Sequence, residues 1–198
     1  MFKHEIEASQ KGYRCVAGVD EAGRGPLAGP VVASAVTLSS AEGLEGLTDS
    51  KKLSEKEREK FFLMVQGRAR GFGIGVVAED VIDEINILQA SLLAMRIAVE
   101  DMGLPVDLLL IDGIHPIQST VAQKTIVGGD GLSLSIAAAS VLAKVTRDQL
   151  MRDYHRQFPQ YMFDRHKGYG TRLHREKIGQ YGPCPIHRKT FKGVREFL

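Results

Sequence analysis

The sequence contains no tryptophan and only two cysteines, Cys15 and Cys184, among its 198 residues. Two cysteines so far apart form neither a disulfide framework nor a zinc site of the usual cysteine-pair type. No apolar run reaches the roughly 20 residues that a membrane-spanning helix needs. The charged N-terminus from Met1 to Glu7 lacks the apolar core of a signal peptide. These absences predict a reduced, cytoplasmic protein without membrane contact.

Internal repeats, low-complexity tracts and long linkers are also absent, so the length predicts one domain with at most a small appendage. The hydrophobic content of 43% and the charged content of 25% are ordinary for a globular protein and allow a substantial core. No long apolar face is left over that would require a partner subunit. We therefore expect a monomer.

Charge is distributed unevenly along the chain, although the formal net charge is only +2. Residues 1–143 contain 13 Lys and Arg against 19 Asp and Glu, whereas residues 144–198 contain 13 against 5. The basic segment also holds four of the six histidines, with aromatic residues interleaved, a composition typical of nucleic-acid grooves. This pattern suits a polyanion that is held by the basic segment and processed at carboxylates elsewhere. A solvated basic surface is the alternative.

The most informative stretch runs from Gly18 to Pro30, where two acids and a glycine-rich turn interrupt an apolar pattern. Asp20 and Glu21 stand where a strand should end, and the turn Gly23-Arg24-Gly25 follows. Adjacent residues on a regular strand point to opposite faces, so these acids are expected to share a site only if the backbone bends. Such acids bind hard cations, and an arginine with free N–H groups faces phosphate. A polar hairpin turn explains this stretch alone equally well.

A dinucleotide-binding site is the other interpretation of these glycines, since Gly23, Gly25 and Gly29 resemble its fingerprint. That fingerprint opens a helix. Here Pro26 and Pro30 interrupt the run, and a strand rich in valine and alanine follows. We therefore reject a dinucleotide site.

Two further acids lie where apolar segments give way to glycine. Leu108–Ile111 is typical of a strand buried on both faces, and it ends in Asp112. Asp130 lies among glycines after the strand-like run Val121–Val127. A carboxylate at the carboxyl end of a buried strand is the usual place for chemistry in a sheet covered by helices. An Asp-Gly pair that only makes a turn is the commoner alternative.

Four carboxylates that converge at one end of a sheet repel each other unless cations lie among them. Oxygen ligands favour Mg²⁺ or Mn²⁺ over zinc. Two such ions hydrolyse phosphodiesters, because one lowers the pKa of the attacking water and the other stabilises the leaving oxygen. The residues therefore predict a metal-dependent enzyme that acts on a phosphate polymer.

The remaining patterns predict an α/β protein. A capping box at Ser54 and Glu57 starts one helix, and Lys51 and Lys52 precede it at a place that favours phosphate. Glycines at alternate positions of one predicted strand allow close packing. Strands are predicted at Val31–Leu38 and Gly71–Ala78, and helices from Glu79, over Ile87–Met102, over Leu134–Phe158 and near Arg172–Gln180. The stripe Leu88, Leu92, Met95, Val99 is expected to be core.

A set of short strings, in one order, resembles type 2 ribonuclease H, specifically bacterial ribonuclease HII. The strings are Gly18–Pro26, Asp49–Leu53, Asn86–Leu88, Asp112–Gly113, Ser135–Ser140, Ala143–Asp148 and His166–Thr171. The resemblance extends from Val16 to about Phe191. It implies a ribonuclease H-like mixed sheet flanked by helices over residues 1–158. It also implies a small, basic helical C-terminal extension over residues 159–198 that packs on this domain and contacts nucleic acid.

The resemblance also implies a function. It implies endonucleolytic cleavage of RNA in RNA–DNA hybrids and of single ribonucleotides in duplex DNA, on their 5′ side, leaving 3′-hydroxyl and 5′-phosphate ends. The family's four acids correspond to Asp20, Glu21, Asp112 and Asp130, which would hold two Mg²⁺ or Mn²⁺ ions.

Seven further residues match the family's substrate contacts. The backbone of Gly23, Arg24 and Gly25 would read the 2′-hydroxyl that distinguishes RNA from DNA. Tyr169 resembles the tyrosine that packs on the next deoxyribose. The expected phosphate contacts are Lys51, Lys52 and Lys144.

Two other functions compete with this interpretation. A carboxylate–metal nuclease of the same broad fold that acts on DNA alone would not need the Gly-Arg-Gly turn with Tyr169. A non-catalytic hybrid- or duplex-binding module would need the basic segment but not four acids.

Overall fold

The computed structural model describes all 198 residues and contains five strands and six α-helices. The strands are β1 (Val16–Ala22), β2 (Val31–Leu38), β3 (Ala69–Val77), β4 (Leu108–Asp112) and β5 (Ala122–Ile126). The helices are α1 (Lys3–Gln10), α2 (Glu55–Arg68), α3 (Glu79–Asp101), α4 (Leu134–Gln157), α5 (Phe163–His166) and α6 (Arg172–Tyr181). Single turns of 3₁₀-helix occur at Gly129–Gly131, Pro159–Tyr161 and Arg195–Phe197. No helix is both long and apolar enough to cross a membrane.

The five strands form one mixed sheet in the order β3-β2-β1-β4-β5. β1, β2 and β3 are joined antiparallel, whereas β1, β4 and β5 run parallel. The parallel strands β1 and β4 are neighbours, so their carboxyl ends meet at one edge of the sheet. This confirms the predicted mixed sheet flanked by helices and brings the predicted acids to a common edge.

Helices cover both faces of the sheet. Buried side chains of α3 pack with one face in the largest apolar cluster, and those of α2 and α4 pack with the other. The contact between α4 and β1 is very close, because a Cβ atom added at Gly18 would lie 2.1 Å from the backbone carbon of Ser135. Gly73 and Gly75 of β3 allow the same approach by α3. Glycine at these positions therefore sets the distance between the layers.

The predicted elements are largely confirmed. Ser54 and Glu57 form the expected capping box on α2. Two helices were predicted between Glu79 and Met102, and α3 indeed divides at Asn86, whose φ is 67°. The Asn86 side chain accepts hydrogen bonds from the N–H groups of Leu88 and Gln89 and so starts the second segment. Helix α1 was not predicted from the sequence.

Helix α1 is attached through a buried carboxylate. Glu5 accepts hydrogen bonds from the hydroxyl groups of Ser133 and Ser135, both 2.6 Å, and from the N–H of Ser135 at 2.9 Å. These donors lie at the first turn of α4, where the helix dipole favours a negative charge. Glu5 therefore joins the N-terminus to the start of the helix that packs on β1.

The sequence predicted that aromatic residues and histidines of the basic segment line a nucleic-acid groove, but several of them are buried, whereas Tyr169 is exposed. Tyr161 and Phe163 are buried and stack with ring centroids 5.4 Å apart. Three of the histidines in this segment, His166, His174 and His187, are buried with them. Because these rings are mainly apolar, they pack together and form a small core for the extension.

The closeness of α4 and β1 predicts a strong effect of one methyl group. Gly18→Ala should lower the free energy of unfolding by about 3 kcal/mol or more, because the added carbon meets backbone that cannot rotate away. Urea denaturation measures this. The matched control is Gly67→Ala on α2, where nothing lies within 4 Å; it should gain up to about 1 kcal/mol through helix propensity. Equal stability of the two variants would contradict the packing described.

Candidate active site

The first two acids lie at the common edge of β1 and β4. The last residue pair of these parallel strands is Val19 with Ile111, and the next residue on each strand is an aspartate, Asp20 and Asp112. The two carboxylates therefore leave neighbouring strands at the same level. Asp112 is fixed there by a hydrogen bond of 2.7 Å from the N–H of Gly129 to its Oδ1.

The prediction that the backbone must bend between Asp20 and Glu21 is wrong. Both residues belong to β1 and pair regularly with Ser34 and Ala33 of β2. The acids nevertheless interact, because β1 continues past its last pair with β4 and leaves its end open on that side. Because this end of β1 has no neighbouring strand on the β4 side, Asp20 and Glu21 interact although the strand is not bent between them.

The pKa values of the acids are shifted by burial and by one another's charges. Burial raises the pKa of Asp20 well above its ordinary value, and the charges of Glu21 and Asp112 raise it further. Burial also raises the pKa of Glu21; Arg24 opposes this rise and Asp112 adds to it. Carboxylates in this state are stabilised by any cation that enters.

Asp130 joins the group from the 3₁₀ turn before α4. Its pKa is raised by burial and by the charges of Asp49 and Asp112, against the opposing effect of Lys51. The Nζ of Lys51 lies 3.6 Å from Oδ2 of Asp130. Burial lowers the pKa of Lys51, but four nearby carboxylates hold it above its ordinary value. The structure thus brings the four predicted acids and Lys51 to one place.

These acids do not form a closed metal cage. No three His, Cys, Asp or Glu side chains are gathered so that they could hold one ion. The donor set still fits Mg²⁺ or Mn²⁺, because such ions are commonly held by one or two carboxylates together with water and substrate phosphate. Burial and the neighbouring charges of Glu21 and Asp112, which raise the pKa of Asp20, also indicate a site that a divalent cation would stabilise.

The Gly-Arg-Gly turn lies next to the acids. Gly23 has a φ of 103°, which a residue with a side chain rarely adopts. The side chain of Arg24 turns back, and its Nη1 lies 3.2 Å from Oε1 of Glu21. Gly25 faces Tyr169, since a Cβ atom added to it would lie 3.7 Å from the tyrosine ring. The turn therefore connects the carboxylates to an exposed aromatic ring.

The other residues predicted to contact the substrate, Tyr169, Lys144 and Lys52, have different surroundings. Tyr169 is 43% exposed, and Nζ of Lys144 lies 5.8 Å from the centre of its ring. Lys144 is also bound to Asp148, one turn further along α4, with 2.7 Å between Nζ and Oδ1. Lys52 is exposed and forms no ion pair or side-chain hydrogen bond.

A cavity of about 190 Å³ lies beside the acids. Glu21, Arg24 and Asp112 line one side of it. The α3 side is lined by Leu88, Ser91, Leu92 and Met95. Leu88, predicted to be core, is half-buried in this wall, whereas Met95 is buried as predicted. A larger cavity, about 740 Å³, lies at the opposite end of β1 and is lined by none of the four acids.

Comparisons with known proteins agree with this geometry. The family model described as Ribonuclease HII matches residues 17–194. A ribonuclease HII from Syntrophotalea carbinolica is 56% identical over 194 residues, which cover 98% of this chain and 93% of that protein. The chain belongs to the ribonuclease HII family. Members of this family cleave RNA in RNA–DNA hybrids and serve in ribonucleotide removal, and this chain is such an endoribonuclease.

Solved structures show the same fold. The crystal structure of ribonuclease H2 from Pyrococcus horikoshii OT3 matches with a TM-score of 0.76 and 26% identity, covering 93% of this chain and 97% of that one. The crystal structure of Bst-RNase HIII in complex with Mn²⁺ matches with a TM-score of 0.72 and 15% identity, covering 96% and 71%. The ribonuclease H-like fold is therefore confirmed.

Sequence reasoning missed the residues that hold Tyr169 in place. The Nδ1 of His174 lies 2.9 Å from the carbonyl oxygen of Tyr169, so it must carry the proton. Its Nε2 then accepts from Nε2 of His187 at 3.0 Å, and Nδ1 of His187 accepts from the N–H of Cys184 at 2.9 Å. This chain of hydrogen bonds, which we call the histidine relay, requires that the rings of His174 and His187 are neutral, because each ring accepts one hydrogen bond and donates another. Separated histidines gave no sequence signal of it.

The relay predicts a loss of stability in acid. Burial lowers the pKa of His174 to about 3 and that of His187 to about 4, from an ordinary value of 6.5. The contribution of these neutral rings to the free energy of unfolding is therefore fully present above pH 6.5 and decreases as the pH falls towards 4. In this range the unfolded chain binds protons at these histidines, whereas the folded chain does not. Each ring should lower the free energy of unfolding by about 1.4 kcal/mol per pH unit in this window.

Urea denaturation at pH 7, 6 and 5 checks this dependence. His174→Gln should show a weaker decrease than the unsubstituted protein. His115→Gln is the control, since His115 is exposed and should leave the decrease unchanged. An unaltered pH dependence in His174→Gln would contradict the neutral relay.

Proposed function

We propose that this member of the ribonuclease HII family nicks duplex DNA on the 5′ side of a single embedded ribonucleotide, as well as cutting longer RNA in hybrids, and leaves 3′-hydroxyl and 5′-phosphate ends. The observation that supports this most is the contact between the carboxylate group and the Gly-Arg-Gly turn. Glu21 belongs to the first and binds Arg24 of the second. In this proposal, the carboxylates that would cut the phosphodiester lie beside backbone N–H groups that would recognise the 2′-hydroxyl.

In this proposal Asp20, Glu21, Asp112 and Asp130 hold two divalent ions, Mg²⁺ or Mn²⁺, together with the scissile phosphate. The ions would supply an activated water and stabilise the leaving oxygen. The protein contributes fixed orientation, since Asp112 is bonded to Gly129 and Asp20 accepts from the N–H of Glu21 at 2.7 Å. The Mn²⁺ complex of Bst-RNase HIII, a structure of the same fold, is compatible with this choice of ion.

Recognition of the junction falls to the turn and to Tyr169. The N–H groups of Gly23, Arg24 and Gly25 would read the 2′-hydroxyl, which DNA lacks. Tyr169, exposed beside Gly25, would pack on the next deoxyribose. Both features disfavour a nuclease of this fold that acts on DNA alone.

Three lysines are proposed phosphate contacts. Lys51 is the best placed, because it lies at the acids and 78% of its side chain is exposed. Its ion pair with Asp130 is worth little at such exposure and is readily exchanged for phosphate. Lys52 is free, and Lys144 is held by Asp148 beside Tyr169. The basic extension, residues 159–198, would supply further contact with the duplex.

The activity and the metal site are tested with a duplex that carries one ribonucleotide. Nicking should occur with Mg²⁺ or Mn²⁺ and stop with a chelator, and the all-DNA duplex should stay intact. Asp20→Asn and Asp112→Asn should lose about 10³-fold or more in rate, because ion-held charge stabilisation is worth several kcal/mol. Both should still bind the duplex. Asp153→Asn is the control, since Asp153 is a half-buried acid of α4 outside the group of four acids.

Thermal denaturation gives a second readout. Mn²⁺ should raise the melting temperature of the unsubstituted protein and have much less effect on the two asparagine variants. Near-normal nicking by either variant would show that the metal site is assigned wrongly. Cleavage of the all-DNA duplex at the same rate would contradict junction reading.

Tyr169→Ala should damage cutting at a single ribonucleotide more than cutting within long RNA, because only the single ribonucleotide depends on the adjacent deoxyribose. We expect a loss of at least about tenfold, since stacking contacts are worth about 1–3 kcal/mol. Tyr181→Ala removes another exposed tyrosine, 49% exposed, and should change neither activity. Equal losses on both substrates would make Tyr169 a general positioning residue.

A further inference from the structure

Arg188 lies in the extension, is fully buried and forms no ion pair. Its guanidinium group donates hydrogen bonds of 2.6–3.2 Å from all three nitrogens. The acceptors are the carbonyl oxygens of Gly23, Arg24, Pro26, Gly29 and Pro30. A buried charge without a carboxylate is costly unless dipoles surround it. Here five carbonyl groups of one loop do so.

These bonds fix the orientation of two peptide groups. In a planar trans peptide the C=O of one residue and the N–H of the next point in opposite directions. The carbonyl of Gly23 lies 2.6 Å from Nη2 of Arg188, and that of Arg24 lies 3.1 Å from Nη1. The N–H groups of Arg24 and Gly25 therefore point away from Arg188.

The same two N–H groups are free. Neither donates a hydrogen bond in the structure, whereas Leu27 and Gly29 nearby donate to Gly168 and Ile186. Arg24 and Gly25 are exposed, with Glu21 on one side and the ring of Tyr169 on the other. Two unpaired donors thus face the surface between the carboxylates and the aromatic ring.

The extension holds Arg188 rigidly against this loop. The N–H of Arg188 donates to the carbonyl of Leu27 at 2.9 Å, and Ala28 forms a β-bridge with His187. The guanidinium plane also lies over the ring of Phe191, 5.1 Å from its centre. The neighbouring N–H groups of Lys189 and Thr190 bind Asp83 of α3, which anchors this segment to the main domain.

We propose that Arg188 is a positioning residue for ribonucleotide recognition, which draws the carbonyl groups of the turn inward and so presents the N–H groups of Arg24 and Gly25 to the 2′-hydroxyl. The inference rests on the proposed role of the turn. It makes the extension part of the recognition site and not only a basic surface. Lysine cannot replace arginine here, because its single nitrogen cannot reach acceptors arranged around a planar fork.

The test is Arg188→Lys, compared with Arg165→Lys, which changes an exposed arginine of the same extension. Amide shifts in ¹⁵N-labelled protein should change at Gly23, Arg24 and Gly25 in Arg188→Lys and not in Arg165→Lys. Nicking at a single ribonucleotide should lose at least about tenfold in kcat with less than about a threefold change in KM, because duplex binding relies on other contacts. Arg165→Lys should retain both constants, because it keeps the positive charge that the extension would present to the duplex.

The possible results separate the two claims. Unchanged amide shifts at the turn in folded Arg188→Lys would overturn the positioning role. Changed shifts with an unchanged kcat would leave Arg188 as a support of the loop and overturn its part in recognition, together with the proposed role of the turn. A proportional loss through KM alone would likewise overturn the recognition role.

A measurement on the unsubstituted protein covers the case in which Arg188→Lys does not fold. The guanidinium protons of Arg188 should exchange slowly with water at neutral pH, because all its nitrogens are buried and bonded. Those of the exposed Arg165 should exchange too fast to observe. Fast exchange at Arg188 would overturn the proposal.

Discussion

The candidate active site depends on hydrogen bonds between buried guanidinium groups and the carbonyl oxygens of residues 23–30. Arg188 binds five of these carbonyls from the extension, and Arg147 binds those of Ala28 and Pro30 from α4. Arg147 also binds the carbonyl of Lys167, close to Tyr169. Because the carbonyl groups of Gly23 and Arg24 turn inward, the N–H groups of Arg24 and Gly25 point outward. The buried arginines thus determine which backbone groups this loop presents at the surface.

The carboxylates beside the turn are also constrained by the fold. Asp20 and Asp112 are placed side by side by the parallel pairing of β1 and β4, and burial, together with the charges of Glu21 and Asp112, raises the pKa of Asp20, so that its ionised form is costly. This cost persists because α4 packs on Gly18, two residues before Asp20, and holds the strand in place. The site therefore combines an acidic edge that needs cations with an adjacent turn that offers free N–H groups.

Much of the fold could be predicted from the sequence because local signals were strong. The apolar run before Asp112, the alternating glycines of β3 and the long helix from Leu134 each carried a clear pattern. The function of the basic segment could not be predicted in this way, because burial of His174 and Arg188 depends on contacts with residues far away in the chain. Composition did not distinguish the rings that form a core, such as Tyr161 and Phe163, from Tyr169, which is exposed.

The most direct test of this account is a crystal structure of Asp112→Asn bound to a duplex with one ribonucleotide. It should place the 2′-hydroxyl within about 3 Å of the N–H of Arg24 or Gly25, with the phosphate on its 5′ side beside Asp20. A 2′-hydroxyl that contacts another element, or that faces water while the phosphate lies at the acids, would contradict it.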